Sequence, residues 1–150
     1  MADGGQAAEK IRNQFPDAVV DTGSYRDQHW IQLKVGSLLD VCAYLRDDEG
    51  YRLLVDVTAA HWPDEAEPFE VIYHLYNHET HDRVRLKTRI ADGASAPSLC
   101  RLYKSADWNE RETYDMFGIE FDGHPDLRRI LMPDDYTDFP LRKEFPLYRG

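Results

Sequence analysis

Three runs of alternating side chains dictate most of what this chain can become. Tyr51, Leu53, Val55 and Val57, then Phe69, Val71, Tyr73 and Leu75, then Val84, Leu86 and Ile90 place apolar groups at every second position. A strand turns successive side chains to opposite faces, so each run predicts a strand with one buried side. Their short polar connections suit an antiparallel meander. A sheet with one apolar face needs helices laid on that face. Leu38, Val41, Cys42 and Leu45 have the i, i+3, i+4, i+7 spacing of such a helix, with Ser37 as its cap and Gly50 ending the acidic turn beyond it. Upstream, Ala8, Ile11 and Phe15 recur at helical spacing before Pro16, while His29, Ile31, Leu33 and Val35 alternate as a further strand broken at Gly36. Trp30 adds apolar area to that strand's other face. Downstream, Pro97, Leu99 and Leu102 begin a short helix. The expected order is helix, strand, helix, three strands, helix.

The last of these helices is Trp108-Asn-Glu-Arg-Glu-Thr-Tyr-Asp-Met-Phe-Gly-Ile119. Asp107 is placed to cap it, with Glu110 reaching back in a capping box, and Gly118 supplies the left-handed residue that stops it. Glu110, Arg111, Glu112 and Asp115 are interleaved with Trp108, Tyr114, Met116 and Phe117, so no clean apolar stripe can be drawn. Asp115 stands in the last turn, where the carbonyl end disfavours an anion, and Arg128 and Arg129 are the nearest basic pair downstream.

From His124 to Gly150 four prolines, at 125, 133, 140 and 146, forbid a long helix or central strand. Yet Ile130, Leu131, Met132, Phe139, Leu141, Phe145, Leu147 and Tyr148 are too apolar for a solvated tail. An extended arm that buries these groups on another surface is the simplest reading. The fold class is therefore a two-layer α+β domain over residues 1–123, with a mixed or antiparallel sheet and helices on one face, followed by a proline-punctuated docking arm over 124–150.

Composition narrows the function. The 18 basic and 28 acidic residues give a net charge of −10, which opposes bulk attraction to nucleic acid or anionic lipid. Residues 124–150 hold five of each sign and are neutral, so the aromatic and basic alternation from Phe139 to Tyr148 does not mark a nucleic-acid groove. Two isolated cysteines, Cys42 and Cys100, offer no cluster or zinc spacing, and a reducing compartment suits them. No apolar run approaches the roughly 18 residues needed to span a bilayer, so membrane association is expected only through a partner.

Three constellations bear on chemistry. His74, His78 and His81 suggest a metal, but His78 lies roughly 13 Å along an extended chain from His74, and Asn77 to Asp82 reads as a polar hairpin connection. Glu110, Glu112, Asp115 and His124 could supply an acid and a base, yet no nucleophile motif, phosphate loop or metal signature accompanies them. The economical reading is an ion-pair network tying helix to arm. Arg83, Arg85, Lys87 and Arg89 form a comb on one face of a strand; it is either an anion-binding surface or, as the acids Asp56 and Glu70 favour, one side of cross-strand pairs.

Glu110-Arg-Glu-x-Tyr-Asp-x-Phe-Gly-Ile, Gly123-His-Pro-x-Leu-Arg-Arg-Ile-Leu and Pro140-Leu-Arg-Lys-x-Phe-Pro146 together resemble the signature of the C subunit of the respiratory NADH–quinone oxidoreductase, complex I. The resemblance covers the chain from about Val35 onward. It implies a non-catalytic structural subunit of the hydrophilic arm, set against the D and B subunits on the cytoplasmic face of the cell membrane. It also implies that NADH, FMN, iron–sulfur clusters and quinone belong to the assembly, with no catalytic, cofactor or metal residue carried by this chain. Related subunits in complexes that use reduced F420 or ferredoxin, and in membrane-bound hydrogenases, share the motif, and a small soluble protein-binding module is the reading from another class. Interface candidates from the matching motif are Glu110, Arg111, Glu112, Tyr114, Asp115, Phe117, His124, Arg128, Arg129, Phe139, Leu141, Arg142, Lys143 and Phe145.

Overall fold

The computed structural model describes residues 4–25, 28–125 and 127. Helix α1 (Gly4–Gln14) leads to strands β1 (Val19–Tyr25) and β2 (Gln28–Leu33), then through a 3-10 turn at Val35–Ser37 to α2 (Leu38–Asp47). Strands β3 (Leu53–His61), β4 (Phe69–Tyr76) and β5 (Arg83–Ile90) follow. A short strand β6 (Ser95–Pro97), helix α3 (Ala106–Phe117) and a second short strand β7 (Glu120–Asp122) complete the described elements.

The expected meander is present, and the first hairpin joins it: the five strands lie in the order β1-β2-β5-β4-β3, antiparallel throughout except where β2 runs parallel to β5. The mixed sheet buries the faces that alternation assigned in β4 and β5, with Phe69, Val71, Tyr73, Leu75, Val84, Leu86 and Ile90 all nearly inaccessible. From α2 come Leu38, Val41, Cys42 and Leu45, and from α1 Ala7, Ala8 and Ile11, all on the same apolar side. Burial pushes the Cys42 thiol up to about 12, so it behaves as a small apolar group.

Four local expectations are corrected. In β3 a bulge falls at Val55, because Leu54 pairs with Leu75 while Asp56 pairs with His74; the frame slips, Leu54 and Val57 turn inward, and Leu53 and Val55 are left exposed. Val35 begins a 3-10 turn and does not extend β2. The stretch after Pro97 forms turns, not a helix, since Leu102 and Tyr103 both donate backbone bonds to the Leu99 carbonyl and the pattern stops there. Finally, α3 begins at Ala106 after Ser105, so Asp107 lies inside the first turn and no capping box forms. The stop at Gly118 holds, with φ of 77°.

The two edges of the sheet are finished differently. Helix α3 lies along β3: the Ser105 hydroxyl donates to the Leu54 carbonyl at 2.7 Å, and Thr113 Oγ1 donates to the Val57 carbonyl at 3.2 Å. These bonds occupy acceptors that an edge strand would otherwise present to another chain. Strand β1, at the other edge, pairs with β2 alone among the described strands.

Candidate functional site

The motif helix is positioned by topology. Strands β6 and β7 pair in parallel, Ser95 opposite Glu120 and Pro97 opposite Asp122, with α3 as the crossover between them. Parallel strands end on the same side, so the residues following each, Ser98 to Cys100 and Gly123 to His124, arrive together beside the first turns of α3. The junction is sealed by the Ser98 N–H donating to the Asp122 carbonyl at 2.8 Å.

Glu110 is the hub there. It is fully buried, and its Oε1 accepts from Ser98 Oγ at 2.7 Å while Oε2 accepts from the Leu99 N–H at 2.8 Å. Cys100 Sγ lies 3.6 Å from Oε1, and the Cys100 N–H donates to Ser98 Oγ at 3.1 Å, which polarises that hydroxyl toward the carboxylate. Burial pushes the Glu110 carboxyl above its ordinary range; the donors from Leu99 and Ser98 and the nearby His124 oppose the shift without reversing it. The Cys100 thiol is pushed up to about 11, mainly by burial, so it is a donor here and not a thiolate.

His124 follows Gly123, whose φ of 85° turns the chain back toward α3. Its imidazole is wholly covered, with Nε2 3.1 Å from the Asp107 carbonyl oxygen and 3.3 Å from Asp107 Oδ1. A carbonyl only accepts, so Nε2 carries the proton. Arg111 Nε sits 3.0 Å from the same Oδ1. Among the described residues, one group of metal-ligating atoms converges: those of Cys100, Glu110 and His124 lie within 4.8 Å of one another. Spacing in the sequence could not reveal this trio, because two three-residue strands bring it together. Glu110 already accepts three donors, and the hydrogen bonds alone account for the arrangement. Tyr73, on β4, has a buried hydroxyl with no hydrogen-bond partner among the described residues, and burial together with the Glu110 charge drives its phenol well upward.

Of the motif's other candidates, Asp115 is completely buried and Phe117 nearly so, while Arg111, Glu112 and Tyr114 are partly covered. Glu112 accepts from the indole N–H of Trp108, which is 55% exposed. Arg128, Arg129, Phe139, Leu141, Arg142, Lys143 and Phe145 lie outside the described residues, as does the expected partnership of Asp115 with Arg128 or Arg129.

The histidines of the β4–β5 hairpin separate. His74 Nδ1 meets Asp56 Oδ1 at 2.5 Å, His81 Nδ1 meets the Tyr76 hydroxyl at 2.8 Å, and His78 packs edge-on against the Tyr76 ring. The connection is a polar turn, with Asn77 Oδ1 accepting from the N–H groups of Glu79 and Thr80.

The basic comb faces away from the helices, and the register sets its neighbours. Asp56, His74, Arg85 and Trp30 form one row across the sheet; Thr58, Ile72, Lys87, Gln32 and Asp21 form the next. Arg89 approaches Glu70 at 3.8 Å, as cross-strand pairing predicts. The rest differ from expectation: Asp56 takes His74, whose Nε2 accepts from Arg85 Nε at 3.0 Å, while Lys87 sits 4.6 Å above the Trp30 ring and Arg83 5.6 Å above Tyr76. The Trp30 indole lies across Gly23, where a Cβ would fall inside its contact distance.

The model of the family described as "Respiratory-chain NADH dehydrogenase, 30 Kd subunit" matches residues 31–149. The C subunit of the NADH-quinone oxidoreductase of Citrifermentans bemidjiense is 43% identical over 98% of this chain and 92% of its own length. The same subunit of Geobacter sulfurreducens is 38% identical with the same coverage. Among solved structures, a chain of the membrane-bound sulfane sulfur reductase, an archaeal respiratory membrane complex, superposes with a TM-score of 0.81 at 27% identity, over 96% of this chain and 86% of its own. The trypsin-resistant fragment of Nqo5 shares the fold, with a TM-score of 0.70 over 82% of this chain and 98% of its own.

Proposed function

The chain belongs to the respiratory-chain NADH dehydrogenase 30 kDa subunit family, and from that membership we propose that it is a non-catalytic structural subunit of the peripheral arm of an NADH–quinone oxidoreductase. The observation that carries the reading is the near full-length match to C-subunit relatives. The assembly's activity is electron transfer from NADH to quinone. This chain's part is to hold other subunits in place, and it binds no flavin, cluster or quinone itself. Relatives named for the NADH–quinone enzyme match at 38–43% identity, against 27% for the sulfane sulfur reductase chain, which favours the former assembly over related respiratory complexes.

The partners are the assembly's D and B subunits, met on the cytoplasmic face of the membrane. No helix among the described residues is long and apolar enough to cross a bilayer, which fits peripheral attachment. Residues 1–123 act as the folded body and 124–150 as the docking arm. Two measurements test this. The purified full chain should be colourless and should not oxidise NADH; stoichiometric iron or turnover by the chain alone would overturn the non-catalytic role. A chain truncated after Asp138 should keep its circular-dichroism spectrum and melting transition yet fail to co-purify with the large subunit; unchanged assembly, or failure to fold, would reassign the arm.

A further inference from the structure

The outer face of the sheet retains a feature that holding this domain together does not use. Four cations stand at alternate positions along β5, about 7 Å apart. Two of the face's carboxylates are engaged, Asp56 with His74 and Glu70 with Arg89, and Asp21, on the far edge strand, accepts from the Thr22 N–H at 2.8 Å. Among the described residues neither Arg83 nor Lys87 meets a carboxylate; each rests on an aromatic ring. The rings are themselves fixed, Trp30 by the bare backbone of Gly23 and Tyr76 by its bond to His81.

Among the described residues the face thus has four cations to three carboxylates, in a molecule whose net charge is −10. Tryptophan, tyrosine and arginine around a partly covered isoleucine, Ile72, are the residue types that dominate protein–protein contacts. A cation held over a ring costs little entropy to engage, because the ring already restricts it. The surrounding acidity repels extended polyanions such as nucleic acid, but a protein segment bringing two or three carboxylates to within hydrogen-bond reach feels mainly the local charges.

We infer that this face, built on Trp30, Ile72, Tyr76, Arg83 and Lys87, is a second docking surface, taken by a partner protein that presents carboxylates to Arg83 and Lys87. The inference rests on the reading of the chain as a subunit of an assembly and names a contact other than the arm.

The test uses the intact assembly and the full chain. A zero-length carbodiimide should join the Lys87 amine to an aspartate or glutamate of another subunit, and acetic anhydride should label Lys87 at least tenfold more slowly in the assembly than in the free chain, with exposed Lys34 as internal reference. Arg83→Glu combined with Lys87→Glu should melt like the parent chain but be retained in the assembly at less than a tenth of its level, while Lys87→Arg is retained fully. Equal labelling of Lys87 in both states, or full retention of the doubly reversed chain, would overturn the inference while leaving the subunit reading intact. A parent chain that never enters the assembly would remove both. Binding of the full chain to phosphatidylglycerol vesicles, abolished by the double reversal, would assign the cations to a membrane and overturn the protein partner.

Discussion

Carboxylate and histidine meet both beside Glu110 and on the outer sheet face, with opposite consequences. Around Glu110 the carboxylate and the His124 ring are covered, and Ser98, Leu99 and Cys100 all donate to that one carboxylate while the His124 Nε2–H donates to the Asp107 carbonyl. On the outer sheet face Asp56, His74 and Arg85 form a similar chain of polar groups, but Asp56 is half exposed and water can replace either partner. The buried cluster specifies how β6, α3 and β7 fit together; the exposed row sits where solvent competes for each contact. Burial, more than residue type, decides which role a polar group has.

The contrast breaks most sharply at Glu110. Glu110→Gln keeps the shape but turns an acceptor into a donor facing Ser98 Oγ or the Leu99 N–H, and should destabilise by roughly 2–4 kcal/mol in chemical denaturation. A change below about 1 kcal/mol would mean the cluster is not a structural hub. Next in size is the seam between α3 and β3: Ser105→Ala and Thr113→Val together should cost about 1–2 kcal/mol and promote association through the uncovered edge, read by sedimentation. Acidity separates the two settings as well. A carboxyl whose folded-state pKa is raised binds its proton more tightly when folded, so its contribution to stability falls as pH rises from the ordinary carboxylate range through the raised value. That slope should flatten in Glu110→Gln and persist in Asp56→Asn. Smallest of all, Asp56→Asn should change stability by roughly 0.2–1 kcal/mol, an effect that about 0.5 M salt removes.

Much of the sheet is legible in the sequence because the inward positions of β4 and β5 are apolar at every second residue except Thr88, and α2 keeps its stripe without interruption. Strand β3 misleads because one bulged residue, Val55, inverts the face of everything before it, and nothing in Leu-Leu-Val-Asp-Val marks where the extra residue falls. Strand β1, Val-Val-Asp-Thr-Gly-Ser-Tyr, lacks alternation altogether; it is a strand because β2 offers it an edge. The candidate site is half legible. Glu110 stands out, but Asp107-x-x-Glu110 satisfies a capping-box pattern, and only the approach of Ser98 and Leu99 from another strand shows which set of donors the carboxylate takes. Opposite charges are plain in a sequence and ring faces are not, so the aromatic partners of Arg83 and Lys87 stay hidden until the register of the sheet is known.

The parallel pairing of β2 with β5 sets the order in which this protein can be made. Trp30 pairs with Arg85, 55 positions later in the chain. A ribosome adding roughly 5–20 residues per second needs about 3–11 s to supply that partner. Until then the β1–β2 hairpin is a two-stranded ribbon, marginal in water, with both edges open. The β3–β4–β5 meander is joined by short connections and closes as its last strand emerges, so it forms the template and the N-terminal hairpin is added to a finished edge. During those seconds the nascent chain displays Ile31 and Leu33 with no sheet to receive them, and a chaperone that holds this hairpin would shorten no step but would protect the yield.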